Sequence, residues 1–330
     1  MKFTLKKSVS RCGLIAALSL IALSTVPSLA QADALAQAYL NITNFQLGYN
    51  TTNVTATALP GVAINSSANF GGVPGVIVNT ATDSTARSGP NAGSFVTTTK
   101  VNPFALPPLN YAGGYASQIG NSAPLGGGAN ALTNAVVSLV PAGVPPNSSA
   151  GSNLVSQQFN VRVAGGSQAI TVGFTGDQYI RAFLNAGAGV FLGGNAQGKT
   201  IWSLNISQNQ GGIFTDVALW TPTIFNAIVS PTGGFSCDLV VVTSCSSLSA
   251  FKLNNTISAF NNPENAFAIN NGSFNAAFTL ATGDYRFEIS HDSQASARLA
   301  IPEPGTLALV GLSLVGLAAV GRRRAMSQAA

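Results

Sequence analysis

Gln158-Phe159-Asn160-Val161-Arg162-Val163-Ala164-Gly165-Gly166-Ser167-Gln168-Ala169-Ile170-Thr171-Val172-Gly173-Phe174 decides the fold class. Phe159, Val161 and Val163 alternate with polar residues up to a Gly-Gly pair, and Ile170, Val172 and Phe174 resume the alternation beyond it. Period 2 is the spacing of side chains that share one face of a strand. With the glycine pair supplying the turn, the stretch reads as a β-hairpin.

The same period recurs on both sides. Trp202, Leu204 and Ile206 form one run; Phe274, Ala276, Phe278 and Leu280 form another, leading to a turn at Thr282-Gly283-Asp284 from which Tyr285, Phe287 and Ile289 return. Residues 34–49 place Leu40 and Ile42 on one phase and Phe45, Leu47 and Tyr49 on the other, which predicts a strand with a bulge near Thr43-Asn44. From about 50 to 152 the chain is rich in Gly, Pro, Asn and Thr, with short apolar pieces such as Val76-Ile77-Val78 and Ala135-Val136-Val137. It reads as short strands on long loops, although Ala131–Val140 also suits a turn or two of helix. Outside the two chain ends no helix-length window carries apolar residues at i, i+3, i+4 and i+7. The expected fold is all-β, an antiparallel β-sandwich of jelly-roll type, in one domain of roughly 270 residues.

The two ends are different in kind. Lys2, Lys6, Lys7 and Arg11 precede an apolar stretch from Gly13 to Val26, followed by Ser28-Leu29-Ala30 and Ala30-Gln31-Ala32. This is the layout of a signal peptide over residues 1–32, removed by signal peptidase after Ala32 or, alternatively, after Ala30. Cys12 lies at the wrong end of the apolar stretch for a lipoprotein. At the other end stand Ile301-Pro302-Glu303-Pro304, an apolar run from Thr306 to Val320, and Arg322-Arg323-Arg324. A helix over 305–321 would span about 25 Å at ~1.5 Å per residue, the lower limit for crossing a bilayer. The prolines hold Ile301 and Glu303 extended, so the chain cannot be helical just before the membrane. The arginines keep the C-terminus cytoplasmic as a basic stop. Residues 293–301 read as an Ala/Ser-rich linker between an ectodomain at 33–292 and this tail.

The tail resembles the PEP-CTERM sorting signal of exported proteins in Gram-negative bacteria that make exopolysaccharide. The resemblance implies cleavage by an exosortase, with Pro302, Glu303 and Pro304 as recognition residues over a sorting segment 302–324. It also implies an inner-membrane intermediate and a final place on the outer surface or in the extracellular matrix. An ordinary tail anchor after a Pro-rich stretch is the alternative. Gly283-Asp284-Tyr285-Arg286-Phe287-Glu288-Ile289-Ser290-His291 is similar to the last strand of some exosortase-dependent surface proteins, and Asn41-Ile42-Thr43-Asn44-Phe45 to their first.

Charge excludes nucleic acid as a partner. The formal charge is +5, but seven of the fifteen basic residues lie in the two terminal segments. Between Asp33 and Ile301, eight bases stand against nine acids, a net charge of −1. No basic patch remains to displace counterions from a phosphate backbone. A surface so close to neutral favours self-association.

Catalytic signatures are thin, and the chain is not expected to be an enzyme. His291 is the single histidine, so no second imidazole can complete a metal site. Gly187-Ala188-Gly189 has Leu192 where a dinucleotide loop needs its third glycine. No metal and no cofactor is expected. A carboxylate pair such as Asp216 with Glu264 or Glu288 would meet the minimum for a glycan hydrolase, yet nothing in their flanks distinguishes them from turn and surface acids. Trp202, Trp220, Tyr179 and Tyr285 form either core or a sugar-stacking face. Cys237 and Cys245 are the cysteines left after signal removal, the right parity for a disulfide in an exported protein. A straight strand would hold them about 26 Å apart at ~3.3 Å per residue, so a bridge requires the chain to double back between them. The function expected is a structural or adhesive role in exopolysaccharide or biofilm. The alternative is a polysaccharide-binding module, and a hydrolase stands behind both.

Overall fold

The computed structural model describes residues 33–59, 63–71, 73–74, 76–79, 83–88, 110–120, 128–139, 147–185, 194–222, 235–237, 241–249, 251–260, 265–299 and 313. The proposed signal peptide and, apart from Ser313, the proposed membrane helix lie outside these residues. In chain order the strands are Asp33–Tyr49 (β1), Val54–Ala58 (β2), Ala63–Asn65 (β3), Asn69–Phe70 (β4), Val73–Pro74 (β5) and Val76–Asn79 (β6). Asp83–Ser88 (β7), Tyr111–Ile119 (β8), Ala129–Leu139 (β9), Asn147–Val163 (β10), Gln168–Asn185 (β11) and Asn195–Gln210 (β12) come next. Ile213–Trp220 (β13), Phe235–Cys237 (β14), Val242–Ser249 (β15), Asn255–Phe260 (β16), Asn265–Leu280 (β17) and Gly283–Arg298 (β18) complete the series.

Two antiparallel sheets pack face to face. One has eight strands in the order β15-β17-β11-β1-β9-β8-β7-β6. The other runs β14-β13-β12-β18-β10-β4-β5, with β16 on β12 and β2 and β3 on β10. The bulge expected in β1 is present. Its register shifts between Thr43 and Gln46, and Asn44 adopts φ 56°, a conformation Asn tolerates better than most residues. The extra residue moves the core-facing set from Leu40 and Ile42 to Phe45 and Leu47. Ala131–Val140 is strand rather than helix in its described part, because β9 is inserted between β1 and β8 with Val136 and Val137 both buried.

The expected hairpin at Gly165-Gly166 is not one. β10 pairs with β18 and β2 in the ten-stranded sheet, whereas β11 pairs with β1 and β17 in the eight-stranded sheet. The four-residue connection is an arch that crosses the roughly 10 Å between sheets. Gly165 and Gly166 hold φ +69° and +99° there. The turn after Leu280 is also an arch, since β17 belongs to the first sheet and β18 to the second. Period 2 misleads here because strands facing each other across a core show the same alternation as neighbours in one sheet. The two arches lie side by side, with the Gly166 amide donating to Thr282 Oγ1 at 3.1 Å. A true two-residue hairpin occurs at Gly211-Gly212, where Gln210 opposes Ile213 and both glycines have positive φ.

The core has two halves. Toward the arches it is aromatic: Phe174 lies 4.7 Å from Trp202, 5.7 Å from Trp220 and 5.0 Å from Phe274, centroid to centroid. Toward the other end it is built on small residues, including Ala34, Ala36, Ala38, Ala135, Ala182, Ala196, Ala295 and Ala297. Small side chains let the sheets approach closely. A Cβ on Gly198 would stand 2.4 Å from the carbonyl oxygen of Gln37 on the facing sheet.

Cys245 is disulfide-bonded. Cys237 ends β14 in one sheet and Cys245 lies on β15 in the other, so the chain changes sheets between them and the straight-strand objection falls away. A Cys237–Cys245 bridge would join the two sheets at their shared edge. Reducing it should lower stability by about 2–3 kcal/mol by the loop-closure relation, seen as a lower urea midpoint. Iodoacetamide should label neither cysteine until a reductant is added.

Candidate functional site

β18 is the strand that leads to the tail. Tyr285, Phe287, Ile289, His291, Ser293, Ala295 and Ala297 occupy one phase and face the interior, shrinking from aromatic to small along the strand. β18 runs to Arg298 between β10 and β12, and Leu299 beyond it is 7% exposed. The expected linker at 293–301 is therefore corrected: residues 293–298 form the end of a central strand, with Ser293, Ala295 and Ala297 buried. Ala and Ser hide this, because alternation in small residues does not register as a hydrophobic period. Pro302, Glu303, Pro304, Arg322, Arg323, Arg324, Ala30 and Ala32 lie outside the described residues. Among the described residues no helix is long and apolar enough to cross a membrane.

The strand delivers the chain to a definite point, the Arg298 end of the ten-stranded sheet. Directly beyond that point, a family model for the PEP-CTERM protein-sorting motif matches residues 300–324. The chain carries a PEP-CTERM sorting motif. It is thereby an exported protein that transits the membrane and is processed by an exosortase. No curated protein and no solved structure matches the chain.

His291, placed by sequence beside a linker, lies inside the sandwich at 1% exposure. Its Nε2 is 3.0 Å from the Leu40 carbonyl oxygen and 3.0 Å from Thr133 Oγ1. A carbonyl only accepts, so Nε2 carries the proton and the ring is the neutral Nε2-H tautomer. Thr133 Oγ1 and Ser293 Oγ are 2.6 Å apart, and Asn153 Nδ2 donates to the Ser293 carbonyl at 2.9 Å. This polar belt crosses between the sheets where the aromatic and alanine halves meet. Burial pulls the His291 pKa from 6.5 down to about 3, with the Leu40 carbonyl acting in the opposite sense. A cavity of about 20 Å³ bordered by Gln118, Gln157, Trp202 and His291 adjoins it, space enough for one water. The belt's signal in the sequence is that its members share the inward phase of their strands.

The other candidates also find places. Trp202 and Trp220 are fully buried, and Tyr179 and Tyr285 are 5% and 1% exposed, so none offers a ring to a sugar. Trp220, singled out for exposure at a strand end, instead donates from Nε1 to Ser247 Oγ on the facing sheet at 3.0 Å. Asp216 accepts hydrogen bonds from Asn205 Nδ2 and Ser207 Oγ at 2.8 and 2.7 Å, and Glu288 accepts from Ser156 Oγ at 3.5 Å. Both acids lie on the outer face of the ten-stranded sheet with β12 between them, an open surface rather than a cleft. Glu264 and Gly187-Ala188-Gly189 fall outside the described residues. No group of three metal-ligating side chains occurs among the described residues.

Sequence reasoning missed the outer face of the eight-stranded sheet. Gln46, Gly173 and Asn275 form one cross-strand row, and Gly48, Thr171, Ala277 and Ser246 the next. They line a shallow trough of about 650 Å³ whose floor is low because two of its residues are glycine. Every residue lining it is uncharged. Asp177 and Arg181, the charged residues of β11, lie further along that strand, beyond the trough.

Proposed function

We propose that the mature protein is a structural or adhesive component of the exopolysaccharide matrix on the outer surface of a Gram-negative cell, and not an enzyme. The uncharged trough on the eight-stranded sheet carries this reading. A shallow trough lined by Thr, Ser, Asn and Gln side chains, with no charged residue in its lining, offers hydrogen bonds to neutral sugar hydroxyls or to a second copy. It imposes no long-range repulsion on either. The sorting motif supplies delivery to the compartment where such contacts matter. Burial of the four aromatic candidates speaks against ring stacking, so the alternative of a polysaccharide-binding module rests on the trough. The placement of Asp216 and Glu288 on an open, hydrogen-bonded surface speaks against a hydrolase.

The test is co-sedimentation of mature protein with exopolysaccharide extracted from the producing cells. Wild type should pellet with the polymer. Thr171→Arg combined with Asn275→Arg, which puts two cations in the trough, should weaken it by about tenfold or more, equivalent to ~1.4 kcal/mol. Protein that stays monomeric and soluble alongside the polymer sinks the adhesive reading.

A further inference from the structure

Both ends of the mature domain leave from one pole of the sandwich. Asp33 opens β1 opposite Asn185, the last residue of β11. Arg298 closes β18 opposite Asn147 and Asn195, the first residues of β10 and β12. Ala34, Leu139, Leu184, Ala297 and Leu299 pack in one cluster, which fixes the two exits side by side. The arches and the Gly211-Gly212 hairpin lie at the other pole, where Val163 opposes Gly283 and Gln208 opposes Tyr285. A strand of 16 residues separates the poles by about 50 Å.

The chain between the sandwich and the sorting motif is short. Only six residues, Leu299 to Pro304, stand between Arg298 and the start of the apolar segment at Gly305, a reach of at most about 20 Å. While the tail is in the membrane, this tether is less than half the length of the sandwich, so the far pole cannot readily turn toward the bilayer. We propose that the Asp33/Arg298 pole is the membrane-apposed surface of the unprocessed protein, seated on the lipid headgroups by this tether. This deepens the sorting reading and rests on it. The pole suits that neighbour chemically. It holds a recess of about 370 Å³ lined by Ser148, Asn195, Ser296 and Arg298, in which Arg298 is the charged group. Among the described residues of this recess, hydroxyls, amides and one guanidinium complement phosphate headgroups.

The experiment uses the full chain, without exosortase, in vesicles of phosphatidylethanolamine and phosphatidylglycerol doped with a headgroup-quencher lipid. A fluorophore is attached through Gln197→Cys near the pole or Ser167→Cys in the far arch, both exposed positions roughly 40 Å apart along the strands. Quenching at 197 should exceed that at 167 by about threefold or more, given the length of the sandwich. Equal quenching, or more at 167, overturns the seating. Twelve Gly/Ser residues inserted after Leu299 should bring the two labels within about twofold, since such a linker reaches ~20 Å. A preference that survives the insertion overturns the tether as its cause. A chain that fails to float with the vesicles at all refutes the sorting reading itself, and the seating with it.

Discussion

Protein with Pro302→Ala and Pro304→Ala is expected to be exported and then to stay in the inner membrane at full mass. Wild type is expected to lose its tail and move to the surface or matrix fraction. The prolines keep the residues around Glu303 extended. Alanine, the best helix former, lets the membrane helix continue back toward Leu299 and removes the extended segment an active site can bind. A misplaced reacting bond costs on the order of 100-fold in rate, so processing should fall by about that factor. Glu303→Ala separates side chain from backbone, because it leaves both prolines in place. Fractionation and intact-mass measurement decide the matter. Variants that reach the surface fraction at wild-type level and mass would reduce the motif to a spacer before a tail anchor.

Acid is expected to destabilise the domain through His291. The group is neutral when folded down to about pH 3 and titrates near 6.5 when unfolded. Between those values the unfolded chain holds the extra proton, so stability is complete above pH 6.5 and declines as pH falls toward 3. The full span is worth about 5 kcal/mol, roughly half of it lost between pH 7 and 4.5. Asp292, whose pKa burial raises, acts in the opposite sense, since its folded form holds the proton at higher pH than the unfolded one. Comparing wild type with His291→Gln cancels that contribution. Gln can still donate to the Leu40 carbonyl but does not titrate. Urea midpoints across pH 4.5–7 should fall steeply for wild type and less for the variant, and parallel curves would remove His291 as the cause.

Much of the fold is legible in the chain because large apolar residues mark the inward phase. The β1 bulge follows from the phase change between Ile42 and Phe45, and the class follows from Phe159 to Phe174. Sheet membership is not legible, because facing strands and neighbouring strands share one alternation. Loop length does not separate them either: four residues bridge two sheets as easily as they close a wide turn. The end of β18 escapes notice because Ser293, Ala295 and Ala297 are small, although they are as buried as the phenylalanines before them. The sorting motif is the plainest feature of all, since Pro, Glu and Arg at fixed places act as chemical groups without help from the fold. The trough is invisible for the converse reason. Gln46, Thr171, Asn275 and Ser246 are far apart in sequence and meet only through strand register.

The position of β18 also sets the order in which the molecule can assemble. The strand lies between β10 and β12 in its sheet, yet it is the last of the described strands, ending at Arg298. Asn147–Val163 and Asn195–Gln210 must wait for it with unpaired edges until nearly the whole ectodomain has crossed the inner membrane. Pairings of such long sequence separation form slowly, and waiting edges invite capture by chaperones or proteases. A chain cut short before residue 283 never acquires its central strand or its tail. Synthesis of the closing strand and of the sorting address thus falls together, so any chain that carries the address also carries the strand that completes the sheet.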